Sequence, residues 1–167
     1  GLDDFGEGDL TGRSTAWRPP SRIVPSQVPV NPAGLPTVKR GRYRVVIDPG
    51  HGGPDPGAVG IGGLRETDVV LDVSMQVAAL LRARGVDVMM TRTGDVDVDL
   101  PPRVALANRV AATAFISIHA NALSMNRPDV NGIETFFFSD PRSARLAGYL
   151  QQQMMDVSPG TPNRGVR

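Results

Sequence analysis

Short runs rich in β-branched residues alternate along this chain with stretches of helical period, and that alternation leaves few folds open. Tyr43-Arg44-Val45-Val46-Ile47 is β-rich and stops at Asp48-Pro49-Gly50, punctuation that ends a strand and starts a loop. From Thr67 the apolar residues Val70, Val73, Val77 and Leu80 to Leu81 recur at helical spacing, with Gly85 as the stop. Val86 to Thr91 predicts a second strand. Pro101 or Pro102 opens a helix through about Ala112, with Val104, Ala107 and Val110 or Ala111 inward, and Phe115 to His119 is a third strand. Strand, helix and strand in turn build a parallel sheet through right-handed crossovers. The expected class is α/β, a mostly parallel twisted sheet with helices on both faces. Ile133 to Phe138 follows a connection too short for a helical crossover, which predicts an antiparallel or edge strand. Asp140-Pro141 caps a last helix with Leu146, Leu150 and Met154 on one face, and no strand is expected after it.

The chain has two histidines, His51 and His119, and each falls at the end of an expected strand. Sites in open parallel sheets lie at the carboxyl ends of strands. Between them Gly62-Gly63-Leu64-Arg65-Glu66 brings a carboxylate to the start of the first helix. Three protein ligands with a fourth position left for water is how catalytic zinc is held, whereas structural zinc is closed by four ligands rich in cysteine. This chain has no cysteine.

Each of these residues has a plainer role open to it. His51, amid Gly50, Gly52, Gly53 and Gly57, could be a turn histidine, although flanking glycines leave its ring reachable. His119 could be a core histidine on the Phe115, Ser117 face, and Glu66 a favourable charge at a helix N-terminus. Glu134 either orients a ligand histidine or faces solvent. Asp48 reads first as a turn former before Pro49 and second as a group orienting a ligand, and Arg92, Asp95 and Arg103 read first as an ion-pair scaffold and second as substrate contacts. The glycines from Gly50 to Gly63 lack the Gly-Lys-Ser/Thr ending of a phosphate cradle. No Gly-x-Ser-x-Gly supports a serine nucleophile.

A formal charge of +1, without basic runs interleaved with aromatics, gives no reason to expect a nucleic-acid partner. No apolar stretch is long enough to insert in a membrane, and Gly-Leu-Asp-Asp-Phe at the start is acidic where a signal peptide is basic and then apolar. Absence of cysteine suits an oxidising compartment and the cytosol alike. Residues 1–41, with prolines scattered and no period, are expected to be a proline-rich linker, disordered or extended. Residues 42–167 are expected to form one domain, large enough to fold without a metal staple.

Ile47-Asp48-Pro49-Gly50-His51-Gly52-Gly53, Pro56-Gly57-Ala58, Gly63-Leu64-Arg65-Glu66, Thr91-Arg92 with Asp95, Arg103 with Ala107-Asn108, Ser117-Ile118-His119-Ala120-Asn121 and Gly132-Ile133-Glu134 occur in that order. In these motifs the chain resembles the zinc-dependent N-acetylmuramoyl-L-alanine amidases of the cell-division type, from about residue 43 onward. The resemblance implies Zn2+ held by His51, Glu66 and His119, peptidoglycan as substrate, and cleavage of the amide between N-acetylmuramic acid and L-alanine. It also implies a general-base glutamate in a segment beyond Arg167, so that the domain is expected to be C-terminally incomplete and to lack its last strand. Glu134 is only a weak substitute for that base. Some relatives plug the zinc with a long helix after His-Ala-Asn. Ala122 to Asn131 are ten residues here, barely three turns of helix at about 1.5 Å per residue, so control by a plug is not expected. The proline-rich start resembles a linker after a wall-targeting domain, which implies a periplasmic or extracellular location. The alternative is a catalytically silent zinc- or wall-binding module that keeps the ligands without the base.

Overall fold

Val46 and Ile47 are neighbours in a strand, so their side chains point to opposite faces, and both are fully buried. A strand covered on both faces is the central strand of a layered α/β sheet. The structure, a computed structural model, describes residues 37–122 and 130–167. Residues 1–36 of the expected linker and most of the connection after Asn121 lie outside the described residues. Two compact units are formed, one ending at Asn121 and the other spanning Ala122–Arg167.

In the first unit the elements run β1 (Arg44–Pro49), α1 (Glu66–Ala83), β2 (Asp87–Met90), α2 (Leu100–Arg109) and β3 (Ala114–Ile118). The sheet order is β2-β1-β3, and both pairings are parallel, with Val46 opposite Met89 and Phe115. This is the α/β class that the alternation predicts. The helix faces differ from expectation. α1 buries Thr67, Val70, Ser74 and Ala78, whereas Val73 is 41% exposed. Small side chains let the helix lie close to the sheet, and a pattern that counts only large apolar residues misses that seam. α2 likewise buries Arg103 and Ala107 and exposes Val104.

The second unit contains β4 (Ile133–Thr135), α3 (Pro141–Val157) and β5 (Asn163–Val166). Here the expectations divide. β4 is an edge strand, as one alternative had it, but it is not antiparallel: its one partner among the described residues is β5, and the pair is parallel. α3 supplies the helical crossover that parallel pairing needs. A strand does follow the last helix: Asn-Arg-Gly-Val lacks strand-like alternation and pairs through its backbone. α3 is capped by the Asp140 carboxylate, which accepts from the Arg142 N–H at 2.9 Å, and it buries Ala147 and Gln151, leaving Leu146 39% exposed.

Gln151 holds this unit together. Its Nε2 donates to the Ile133 carbonyl and to Asn163 Oδ1, both at 2.7 Å, and its Oε1 accepts from Thr135 Oγ1 at 2.8 Å. Gln151→Leu strands these partners in a buried place. A loss of about 1–3 kcal/mol is expected, seen as a lower urea midpoint for unfolding.

Candidate metal centre

β1 runs straight into the loop that carries His51. Gly50 N–H still donates to Ile118 O at 3.0 Å, the last link between β1 and β3. The chain then turns at His51, whose φ of 60° is unusual for a residue with a side chain. Two backbone bonds between Gly52 and Asp55, at 3.0 and 3.2 Å, close the turn, and Arg103 Nη2 donates to the His51 carbonyl at 2.8 Å.

That turn sets the imidazole. His51 Nδ1 donates to Asp55 Oδ2 at 2.7 Å, while Asp55 Oδ1 accepts from the Gly57 N–H at 3.0 Å. The bond to His51 and then that to Gly57 hold the Asp55 carboxyl below its ordinary range. A carboxylate on Nδ1 fixes the tautomer that leaves Nε2 bare. Sequence reasoning passed over Asp55; the signal was an acid four residues after a histidine within a glycine-rich turn.

Glu66 opens α1 and is 1% exposed. Its Oε2 accepts from Ala58 N–H at 3.0 Å and its Oε1 from Ala120 N–H at 2.7 Å. Burial pushes its pKa up, but bonds from His119, Ala58 and Ala120 and the charge of His51 outweigh this and hold it at about 2. The group is a carboxylate at any physiological pH.

His119 directly follows β3, and its ring stands edge-on to that of His51 at 82°. Its Nδ1 lies 3.1 Å from Glu66 Oε1 and 3.2 Å from His51 Nε2, and the last two atoms are 3.2 Å apart. The three atoms form a nearly equilateral triangle. Ligands at about 2.0–2.1 Å on a tetrahedral zinc lie roughly 3.3–3.4 Å from one another, so the triangle fits one face of such a site. Two imidazoles and one ionised carboxylate also suit zinc by chemistry. The three residues picked out in the sequence are thus brought together, and among the described residues they are the group that could hold a metal ion.

Gly50 makes the approach possible. A methyl group on its Cα would fall on the His119 ring, 2.6 Å from both nitrogens. Gly50→Ala must push the ring aside. Metal affinity is expected to fall by about 10–100-fold, the range for groups that only orient a ligand, in competition with a fluorescent chelator.

Beneath the loop lie two buried arginines. Arg103 Nη1 pairs with Asp48 Oδ1 at 2.9 Å and donates to Pro49 O at 2.7 Å, and its Nε reaches Val98 O at 2.7 Å. Arg92 donates to the carbonyls of Pro49, Gly50, Gly94 and Thr67 and to the Thr67 hydroxyl. The scaffold reading therefore holds for Arg103, but Arg92 braces backbone. Asp95 accepts from Gly53 N–H at 2.8 Å and from Arg65 at 3.0 Å. Asp48 is no mere turn former: it is 4% exposed and also accepts from Thr91 at 2.6 Å and Ser117 at 2.7 Å. Glu134 belongs to the second unit, where Arg164 donates to it at 2.9 Å and Arg167 lies 3.3 Å away.

The parallel α/β sheet thus carries a His-Glu-His cluster at its carboxyl edge, where open parallel sheets place their sites. Residues 45–167 match the family described as N-acetylmuramoyl-L-alanine amidase. The chain belongs to that family. It is 41% identical over 119 residues to N-acetylmuramoyl-L-alanine amidase AmiA of Salmonella typhimurium, covering 70% of this chain and 40% of that protein. Among solved structures it resembles amidase AmiC2 of Nostoc punctiforme, with 47% identity and a TM-score of 0.72 over 77% of this chain and 69% of that one. The catalytic domain of the amidase CwlV from Bacillus (Paenibacillus) polymyxa var. colistinus matches with 31% identity and a TM-score of 0.65, over 75% and 69% of the two chains. The chain spans about two fifths of the length of its curated AmiA relatives.

Proposed function

We propose that this protein hydrolyses the amide between N-acetylmuramic acid and L-alanine in peptidoglycan, in the periplasm or outside the cell, using zinc held by His51, Glu66 and His119. The triangle of His51 Nε2, Glu66 Oε1 and His119 Nδ1, in a chain of the amidase family, carries this reading. When bound, zinc supplies a Lewis acid for the scissile carbonyl and lowers the pKa of water. The protein's own part is positional. Asp55 keeps a proton on His51 Nδ1, and the Ala58 and Ala120 N–H groups keep Glu66 ionised and aimed.

Proton transfer to the leaving amine needs a further carboxylate. Glu134 is a poor choice, since its oxygen is engaged by Arg164 and Arg167. We place the base instead in a segment following Arg167, and a wall-targeting domain before the proline-rich residues 1–41. The engagement of Glu134 also favours the second reading, a silent zinc- or wall-binding module. Zinc-loaded protein incubated with purified peptidoglycan separates the two by mass spectrometry. Release of stem peptide with a free L-alanine amine, stopped by chelator and restored by zinc, is expected of the amidase extended past Arg167. Stoichiometric zinc with no release by either form would establish the silent module.

Glu66→Gln is expected to weaken zinc binding far more than Glu134→Gln. It removes the charge at one corner of the triangle, whereas a group that merely orients a ligand shifts affinity by about 10–100-fold. Equal losses on titration with a metal indicator would bring Glu134 into the ligand set.

A further inference from the structure

The amino-terminal edge of the first sheet, remote from the histidines, carries a second concavity. Arg44 and Asp87 are the first residues of β1 and β2, while His51 lies just past the end of β1, about 20 Å away at roughly 3.3 Å per strand residue. Arg40, Arg44, Arg82 and Asp87, together with the apolar Val88 and Met89, line a space of about 500 Å³ there. It is built by two features. Val38 N–H donates to Arg84 O at 2.9 Å, which lays the incoming segment and Arg40 against the end of α1. Gly85, at φ 89°, turns the chain into β2, and any Cβ there would collide with the Val38 carbonyl.

Three arginines line this space against one carboxylate, although Arg44 gives its Nη1 to the Val110 carbonyl at 2.8 Å. Asp87 stands 3.8 Å from Arg44, a loose and half-exposed pair, so it offsets little of the charge. Arg82 sits in the last turn of α1 and gives one N–H to Val88 O at 2.9 Å, a position the helix dipole favours. Arg40 has no such reason to be there: its guanidinium makes no hydrogen bond or ion pair with any described residue.

We propose that this concavity binds a small phosphate ester of sugar-phosphate size. A single carboxylate is satisfied by one bidentate arginine, whereas a phosphate monoester offers three terminal oxygens and up to two charges to several forks at once. The space is a depression open to solvent, and at about 500 Å³ it exceeds what a bare phosphate fills. A concave site suits a soluble ester better than a flat membrane surface.

Calorimetric titration of the full chain with glucose 6-phosphate, with glucose as the neutral control, tests this. Saturable one-to-one binding of the ester and none of glucose are expected, with affinity falling about tenfold or more in both Arg40→Gln and Arg82→Gln, since each removes a charge-assisted contact. Arg40→Gln leaves no partner among the described residues unsatisfied, so its effect is not one of misfolding. Peptidoglycan hydrolysis by the extended protein should be unchanged in the Arg40 variant. Absence of ester binding would overturn the proposal, and so would binding that survives in the double variant, which would put the anion elsewhere. Adsorption to phosphatidylglycerol vesicles without binding of the soluble ester would overturn it in favour of a membrane-facing basic surface.

Discussion

Replacing His119 with alanine is expected to abolish stoichiometric zinc binding while the chain still unfolds cooperatively. Loss of one corner of a three-atom site leaves His51 and Glu66, too few to hold zinc against water, and the drop should exceed the 10–100-fold typical of residues behind the ligands. The fold has little reason to follow. The His119 side chain is 38% exposed, so its removal opens no closed cavity in the core. Glu66, the buried member, keeps the Ala58 and Ala120 N–H donors and is not left bare. Elemental analysis of protein purified without chelator, beside a thermal unfolding curve, checks both halves. Loss of metal and cooperativity together would mean that the site is structural.

Arg103→Ala is expected to be the most destabilising single change, at about 3–5 kcal/mol, the cost of breaking a buried ion pair from one side. That is a large share of the roughly 5–15 kcal/mol that holds a domain folded. The guanidinium and Asp48 side chains are each 6% exposed, and the arginine also serves the carbonyls of Val98, Pro49 and His51. All of these lose a donor together. Arg103→Met with Asp48→Asn should recover part of the loss, because the uncompensated charge goes too. Urea titrations of the single and double variants provide the measurement, and a single-variant loss below about 1 kcal/mol would show that the pair behaves as a solvent-screened one.

The ligands were legible because their chemistry is scarce and their positions periodic. His51 and His119 are the chain's two histidines and each follows a strand, so the sheet's own geometry delivers both to one edge. Asp55 was not legible in the same way. An aspartate in a glycine-rich turn is ordinary, and only the left-handed φ of His51 and the Gly52–Asp55 closure swing its carboxylate onto Nδ1.

By itself, then, the sequence determined the alternation of strand and helix, the parallel sheet, the three metal-ligand candidates and the family. These follow from local period, turn residues and rare side chains, all of which act over a few residues. Tertiary structure alone decided that Ser74, Ala78 and Gln151 face inward while Val73, Val104 and Leu146 do not, that β4 takes β5 as a parallel partner, and that Asp48 meets Arg103 across 55 positions. The physical reason is shared. Burial and pairing are settled by which surface arrives opposite a residue, and a small or polar side chain is buried when its neighbour fits closely or completes its hydrogen bonds.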